Sequence, residues 1–165
     1  MWKVSFNKDT YKKVEVFNDK ATVVTLIAKV VIPKEIANHI PLKVLDWAQK
    51  HVNPKIVIIP HYGIIEFKVK GKTVRKDEDE NKPLLAERLA ECRAKMSIYR
   101  FMVAFTEQYA KYYMKIMMGK NSILYPDNDS STPDRDSIWG ANARFGELWD
   151  KEYVRRIKLE EETRK

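Results

Sequence analysis

Three histidines, one cysteine and an acidic loop are the first residues of this chain with chemistry to offer. His39, His51 and His61 stand 12 and 10 residues apart, a spacing that matches no common zinc motif. His39 and His51 read as helix-end residues, where an imidazolium favours the C-terminal dipole. His61 falls at a strand end. Residues 126–137, "PDNDSSTPDRDS", begin like a calcium loop with Asp127, Asp129 and Ser131. Thr132 takes the glycine position, however, and Ile138 the place of the bidentate glutamate. The run is therefore read as turn formers. Cys92 lies in an apolar helical stripe and packs as a small hydrophobe. As the single cysteine, it excludes an internal disulfide or a cysteine-based zinc cluster and suits a reducing, intracellular compartment. No nucleophile elbow, P-loop or dinucleotide fingerprint occurs, and five glycines leave little raw material for a phosphate-cradling loop. The expectation is a chain without cofactor, metal or catalytic residues.

Glu66-Phe67-Lys68 is the remaining candidate. On a strand, Glu-x-Lys resembles the second half of the signature of restriction-endonuclease-like nucleases. The resemblance implies a metal-dependent nuclease at Glu66 and Lys68, in which a carboxylate pair holds a divalent ion and the lysine steadies the attacking water. The aspartate that should precede it is missing: Pro60-His61 stand five residues upstream and Asp46 falls in a helical stretch. A hairpin over Gly63–Arg75, turning at Lys70-Gly71, accounts for the same residues. In that register Val69 faces Lys72, Phe67 faces Val74, Lys68 faces Thr73 and Glu66 faces Arg75. Phe67, Val69 and Val74 would point to the core; Glu66, Lys68, Lys70, Thr73 and Arg75 would point to water.

Charge is distributed unevenly. Of 31 basic and 23 acidic residues, residues 1–76 hold 15 and 6, a net +9, and residues 77–165 hold the remainder, a net −1. Before Asp77 the only arginine is Arg75. Lysine is a hydrated point charge suited to loose electrostatic contact, whereas arginine makes the forks that read phosphates and base edges. The acids Asp77–Glu80 precede Pro83 and read as the start of a helix, where negative charge complements the dipole.

These residues must be positioned by a small set of elements. The N-terminus alternates like a strand and lacks a secretory h-region. Tyr11–Phe17 and Ala21–Ile32 read as strands joined at Asn18-Asp19, the second apolar on both faces except for Thr22, Thr25 and Lys29. A helical stretch interrupted at Pro41 and a short strand from Lys55 to Ile59 follow. From Pro83 to Met118 nothing breaks a helix, which would span about 54 Å. Its 4-3 stripe runs Leu85, Leu89, Cys92, Met96, Tyr99, Val103, Thr106, Ala110, Tyr113, Met117, with Ile98, Met102, Phe105, Tyr109, Tyr112 and Ile116 beside it. Its second half is apolar over most of its circumference and must be covered on two sides. Gly119 suits a C-terminal stop, residues 120–143 read as irregular, and a last helix runs from about Arg144.

The expected fold is a single α+β domain. A mixed or antiparallel sheet with one inserted helix fills residues 1–76, and a helical hairpin fills residues 83–165. The leading functional expectation is a non-enzymatic assembly or adaptor subunit, docking on a protein partner or on its own copies. The docking residues would be Tyr99, Met102, Phe105, Tyr109, Tyr112, Tyr113, Ile116 and Met117, since aromatics and methionine are enriched in interface cores. The alternative is non-specific nucleic-acid binding through a lysine-rich sheet face of Lys12, Lys13, Lys68, Lys70, Lys72 and Arg75. The nuclease at Glu66 and Lys68 comes third. No apolar run reaches the length of a membrane span.

Overall fold

The computed structural model describes residues 2–6, 12–33, 44, 46–47, 50, 57–61, 64–76, 81–117 and 138–164, with backbone alone at 57–61 and 112–117. The elements in chain order are β1 (Lys3–Phe6), β2 (Lys12–Phe17), β3 (Ala21–Val31), β4 (Val57–His61), β5 (Ile64–Val74), α1 (Pro83–Met117) and α2 (Ile138–Arg164). The fold is α+β, an antiparallel sheet followed by two helices. Val44, Asp46, Trp47 and Lys50 of the intervening segment have helical backbone, and Val44 is buried in the main core. His39, His51, residues 126–137 and Gly119 lie outside the described residues.

All strand pairings are antiparallel, in the order β1–β3–β5–β4, with β2 also on β3. β1 runs beside residues 28–31 of β3 and β2 beside residues 21–26, so the two form one interrupted edge. The β2–β3 connection is where the sequence places it. Asn18 and Asp19 adopt φ of 52° and 56°, and the Lys20 amide donates to the Phe17 carbonyl at 3.0 Å. Two left-handed central residues give the primed turn whose twist matches the strands.

The hairpin expected about Lys70-Gly71 does not form. Residues Ile64–Val74 are one continuous strand paired along its length with β3. Glu66 lies opposite Lys29, and Arg75 instead closes the β2–β3 turn. Removing the turn keeps the side-chain alternation unbroken through Gly71. Thr73 is therefore buried on the core side and Val74 is 64% exposed, the reverse of the hairpin expectation.

Gly71 has a different task. A Cβ there would fall on the carbonyl oxygen of Ala90, 2.8 Å from the Ala94 nitrogen and 2.9 Å from the Ala90 carbonyl carbon. The bare glycine backbone, facing two alanines one turn apart, lets α1 lie directly on β5. Phe67 then meets Phe101 edge-on at 5.2 Å, and Val24, Leu26, Ala28, Val30, Ile65 and Val69 complete the sheet side of the core.

The helices form an antiparallel hairpin. Lys82 reaches the Glu162 carbonyl at one end, and Asn142 reaches the Val103 carbonyl towards the other. Sheet on one side and α2 on the other give α1 the two-sided cover its apolar circumference demands. Leu89, Cys92, Met96, Tyr99, Thr106 and Ala110 of the stripe are buried, as are Ile98, Met102, Phe105 and Tyr109 beside it. α2 starts at Ile138, six residues before the expected Arg144. Ile138, Ala141 and Phe145 continue its apolar face into the core.

Candidate nucleic-acid interface

The sheet has a core face and an open face, and alternation assigns every residue of a strand to one of them. Val24–Gly71, Leu26–Val69, Ala28–Phe67 and Val30–Ile65 are the pairs under α1. The pairs between them carry the charge on the opposite face: Val23–Lys72, Thr25–Lys70, Ile27–Lys68 and Lys29–Glu66. β2 adds Lys13 opposite Thr25 and Glu15 opposite Val23, and β1 adds Lys3 opposite Val31. Lys13, Thr25 and Lys70 thus form one row across three strands, its outer Cα atoms roughly 10 Å apart. Lys68, Lys70 and Lys72 follow one another along β5 at about 7 Å. All the lysines on this face are exposed, while Val23 and Ile27 between them are half-buried.

The acids on this face are few among the described residues. Glu15 lies 3.6 Å from Lys13, and Glu66 faces Lys29 across the β3–β5 pair. Phe17 is the face's one described ring, 49% exposed and opposite Ala21 at the corner beside the turn.

Sequence reasoning placed some of these residues and misplaced others. Lys13, Lys68, Lys70 and Lys72 share the open face. Lys12 does not: its neighbour's position on the open face puts Lys12 on the core face, where its ammonium pairs with Glu87 at 2.7 Å and Glu91 at 2.9 Å. Burial pulls its pKa down, but the two carboxylates outweigh that and hold it above the ordinary value. Arg75 does not join the face either. Its Nε and Nη2 donate to the Asp19 carbonyl at 3.3 and 3.0 Å, and its amide donates to the Lys20 carbonyl at 2.7 Å. Lys29 and Lys3 are members that were missed; Lys29 carried a signal, being the one charged residue in a mostly apolar strand.

Four of the eight expected docking residues are buried inside the chain. Tyr99, Met102, Phe105 and Tyr109 are buried against the sheet and α2, so they offer no surface to a partner in this state. Burial, with Glu152 nearby, pushes the Tyr99 phenol up to about 12. Tyr112, Tyr113, Ile116 and Met117 lie on α1, with side chains outside the described residues.

Glu66 and Lys68 do sit side by side on the open face, but no second carboxylate joins them among the described residues. Glu15 is six residues away along β3, about 20 Å, and no group of three potential metal ligands occurs among the described residues. A cleft of about 370 Å³ opens beside the turn, lined by Thr22, Thr73, Arg75, Lys82 and Leu89 among others. Its polar groups serve the fold: Thr73 Oγ1 donates to the Ala86 carbonyl, Lys82 Nζ to the Glu162 carbonyl and Arg75 to the turn. No described helix is long and apolar enough to cross a membrane. No family model, curated protein or solved structure matches the chain.

Proposed function

We propose that the chain binds nucleic acid non-specifically, holding the phosphate backbone across the open face of its sheet. The observation that carries this reading is the gathering of Lys13, Lys29, Lys68, Lys70 and Lys72 on the face turned away from α1 and α2. Lysines neutralise phosphates as point charges and release counterions, a term that carries no sequence information. A face that read bases would need several rings among its cations. Phe17 is a single ring at a corner, enough to stack one base of a single strand.

Fluorescence anisotropy with labelled single- and double-stranded DNA and RNA, free of divalent metal, tests the reading. Neutralising about five phosphates gives a log–log salt slope near −4.5, or roughly a 500-fold loss of affinity between 50 and 200 mM salt. Replacing Lys68, Lys70 and Lys72 together by threonine should cut that slope to about −1.8. An unchanged slope, or no binding at low salt, would remove the proposal.

A further inference from the structure

The edge formed by β2 carries a second feature that the nucleic-acid reading does not use. β2 pairs only with β3 among the described strands, so no described strand takes up its outer row of amides and carbonyls. The opposite edge, β4, contains Pro60, which has no amide to donate and blunts that side. β2 has no proline, and Val14 and Val16 on its core-facing side are 39% and 57% exposed. Protected edges often carry charged side chains, lysine above all. β2 instead alternates signs on its open face, with Lys13 and Glu15 two residues apart.

We propose that two copies of this chain pair through β2, antiparallel and two-fold symmetric about Val14, into one continuous sheet. The register follows from charge. With Val14 opposite Val14 of the second copy, Lys13 meets Glu15 and Glu15 meets Lys13, making two equivalent cross-strand ion pairs. Val16 meets the aliphatic stem of Lys12 on the other side of the sheet. Moving the two-fold axis to Lys13 sets lysine against lysine, and moving it to Glu15 sets glutamate against glutamate. A shift to an axis between residues brings outward-pointing amides opposite inward-pointing ones and breaks the ladder. Of the registers centred on Lys13, Val14 and Glu15, the one at Val14 sets opposite charges against each other and keeps the ladder. Antiparallel partners face the same way, so the open faces of both copies join into one surface. The pairing is independent of whether that surface binds nucleic acid.

Five residue pairs make a short interface, so association is weak and concentration-dependent. Sedimentation of the full chain from about 1 to about 500 µM should show the 19.4-kDa mass doubling. Glu15→Lys alone, or Lys13→Glu alone, turns both ion pairs into repulsions and should weaken self-association about 30-fold. Lys13 is exposed and Glu15 half-buried, with side chains 72% and 36% accessible, and neither belongs to the core, so both variants should fold. Mixing the two single variants restores opposite charges at every position and should give a heterodimer where neither variant alone dimerises. A wild-type chain that stays monomeric throughout overturns the proposal. So does a dimer indifferent to Glu15→Lys, or a mixture that fails to associate.

Discussion

Gly71→Ala and Gly146→Ala are the same substitution with opposite expected signs. In a strand or helix interior, replacing glycine by alanine normally stabilises by about 0.5–1 kcal/mol, because glycine loses more backbone freedom on folding. At Gly146, within α2, nothing lies within 4 Å of the added methyl group, so the full gain of about 1 kcal/mol is expected. At Gly71 the methyl group meets backbone atoms of Ala90 and Ala94. Backbone cannot rotate aside as a side chain can. The helix must lift from β5 by roughly 1 Å, and a gap of that size forfeits up to half the dispersion energy of the contacts that flank it. Those contacts include Phe67–Phe101 and Ile98, both central to the core. Overpacking of this kind costs about 3 kcal/mol, well beyond the entropic gain. Urea denaturation followed by circular dichroism should show Gly71→Ala shifting the midpoint down, with an unchanged slope, and Gly146→Ala shifting it up. Gly71→Asn distinguishes the causes. Asparagine is welcome in a hairpin turn but is larger than alanine, so here it should be worse than alanine. A neutral Gly71→Ala, or an asparagine better tolerated than alanine, would refute the seating of α1 on β5 and restore a turn at that position.

Four further outcomes follow from the same packing. Lys12→Met removes a cation from Glu91, leaving Lys95 at 3.6 Å, and should cost about 2 kcal/mol in urea denaturation at neutral pH. Stability should fall in alkali: burial pushes the Cys92 thiol from 9.0 up to about 12 and the Tyr99 phenol from 10.0 up to about 12. Each folded-state pKa lies above its unfolded value, so these contributions are whole below pH 9.0 and are lost as pH rises towards about 12. Cys92, wholly buried and donating to the Glu152 carbonyl at 3.1 Å, should be alkylated only at the rate of global opening. Asn142→Ala removes donors to the Val103 carbonyl at 2.9 Å and to Thr106 Oγ1 at 3.0 Å. It should lower the thermal midpoint by several degrees, corresponding to about 1.5 kcal/mol.

The helices and β3 were legible because their signals are periodic and local. Ala21–Val31 is an 11-residue run, apolar except for Thr22, Thr25 and Lys29, and the α1 stripe keeps its 4-3 spacing past Ala110. Gly71 was misread because Lys-Gly-Lys looks the same whether the glycine turns the chain or admits a helix. What decides is the small pair Ala90 and Ala94, about twenty residues further on, and no local pattern ties them to it. The error spread by parity: a turn at Gly71 reverses the faces of Thr73 and Val74 and assigns Glu66 the wrong partner. Lys12 and Lys13 illustrate the opposite case, since adjacent strand residues cannot share a face and the sequence alone should have separated them. The aromatic half of α1 could not be resolved in kind. Rings in helical spacing are equally suited to a partner chain and to a sheet of the same chain, and only the tertiary fold tells which covers Phe105 and Tyr109.

The folded arrangement also explains why two halves of unlike charge do not simply neutralise each other. The acids of α1 nearest the sheet, Glu87 and Glu91, lie on the core side and engage Lys12. Lys29, Lys68, Lys70 and Lys72 project from the other side, beyond their reach. Like charges gathered on one face repel and oppose folding, so they should contribute nothing to stability. Lys68, Lys70 and Lys72 replaced together by threonine, which keeps strand propensity, should leave the urea midpoint unchanged or raise it at low salt. The gain should vanish at high salt, where screening removes the repulsion. A loss above about 1 kcal/mol would instead mean that these lysines hold the fold through partners of their own. A variant that keeps or gains stability while losing its salt-dependent affinity would separate the charge of this face from the needs of the fold. Self-repelling charge that the fold does not need is what a surface kept for binding an anion would carry.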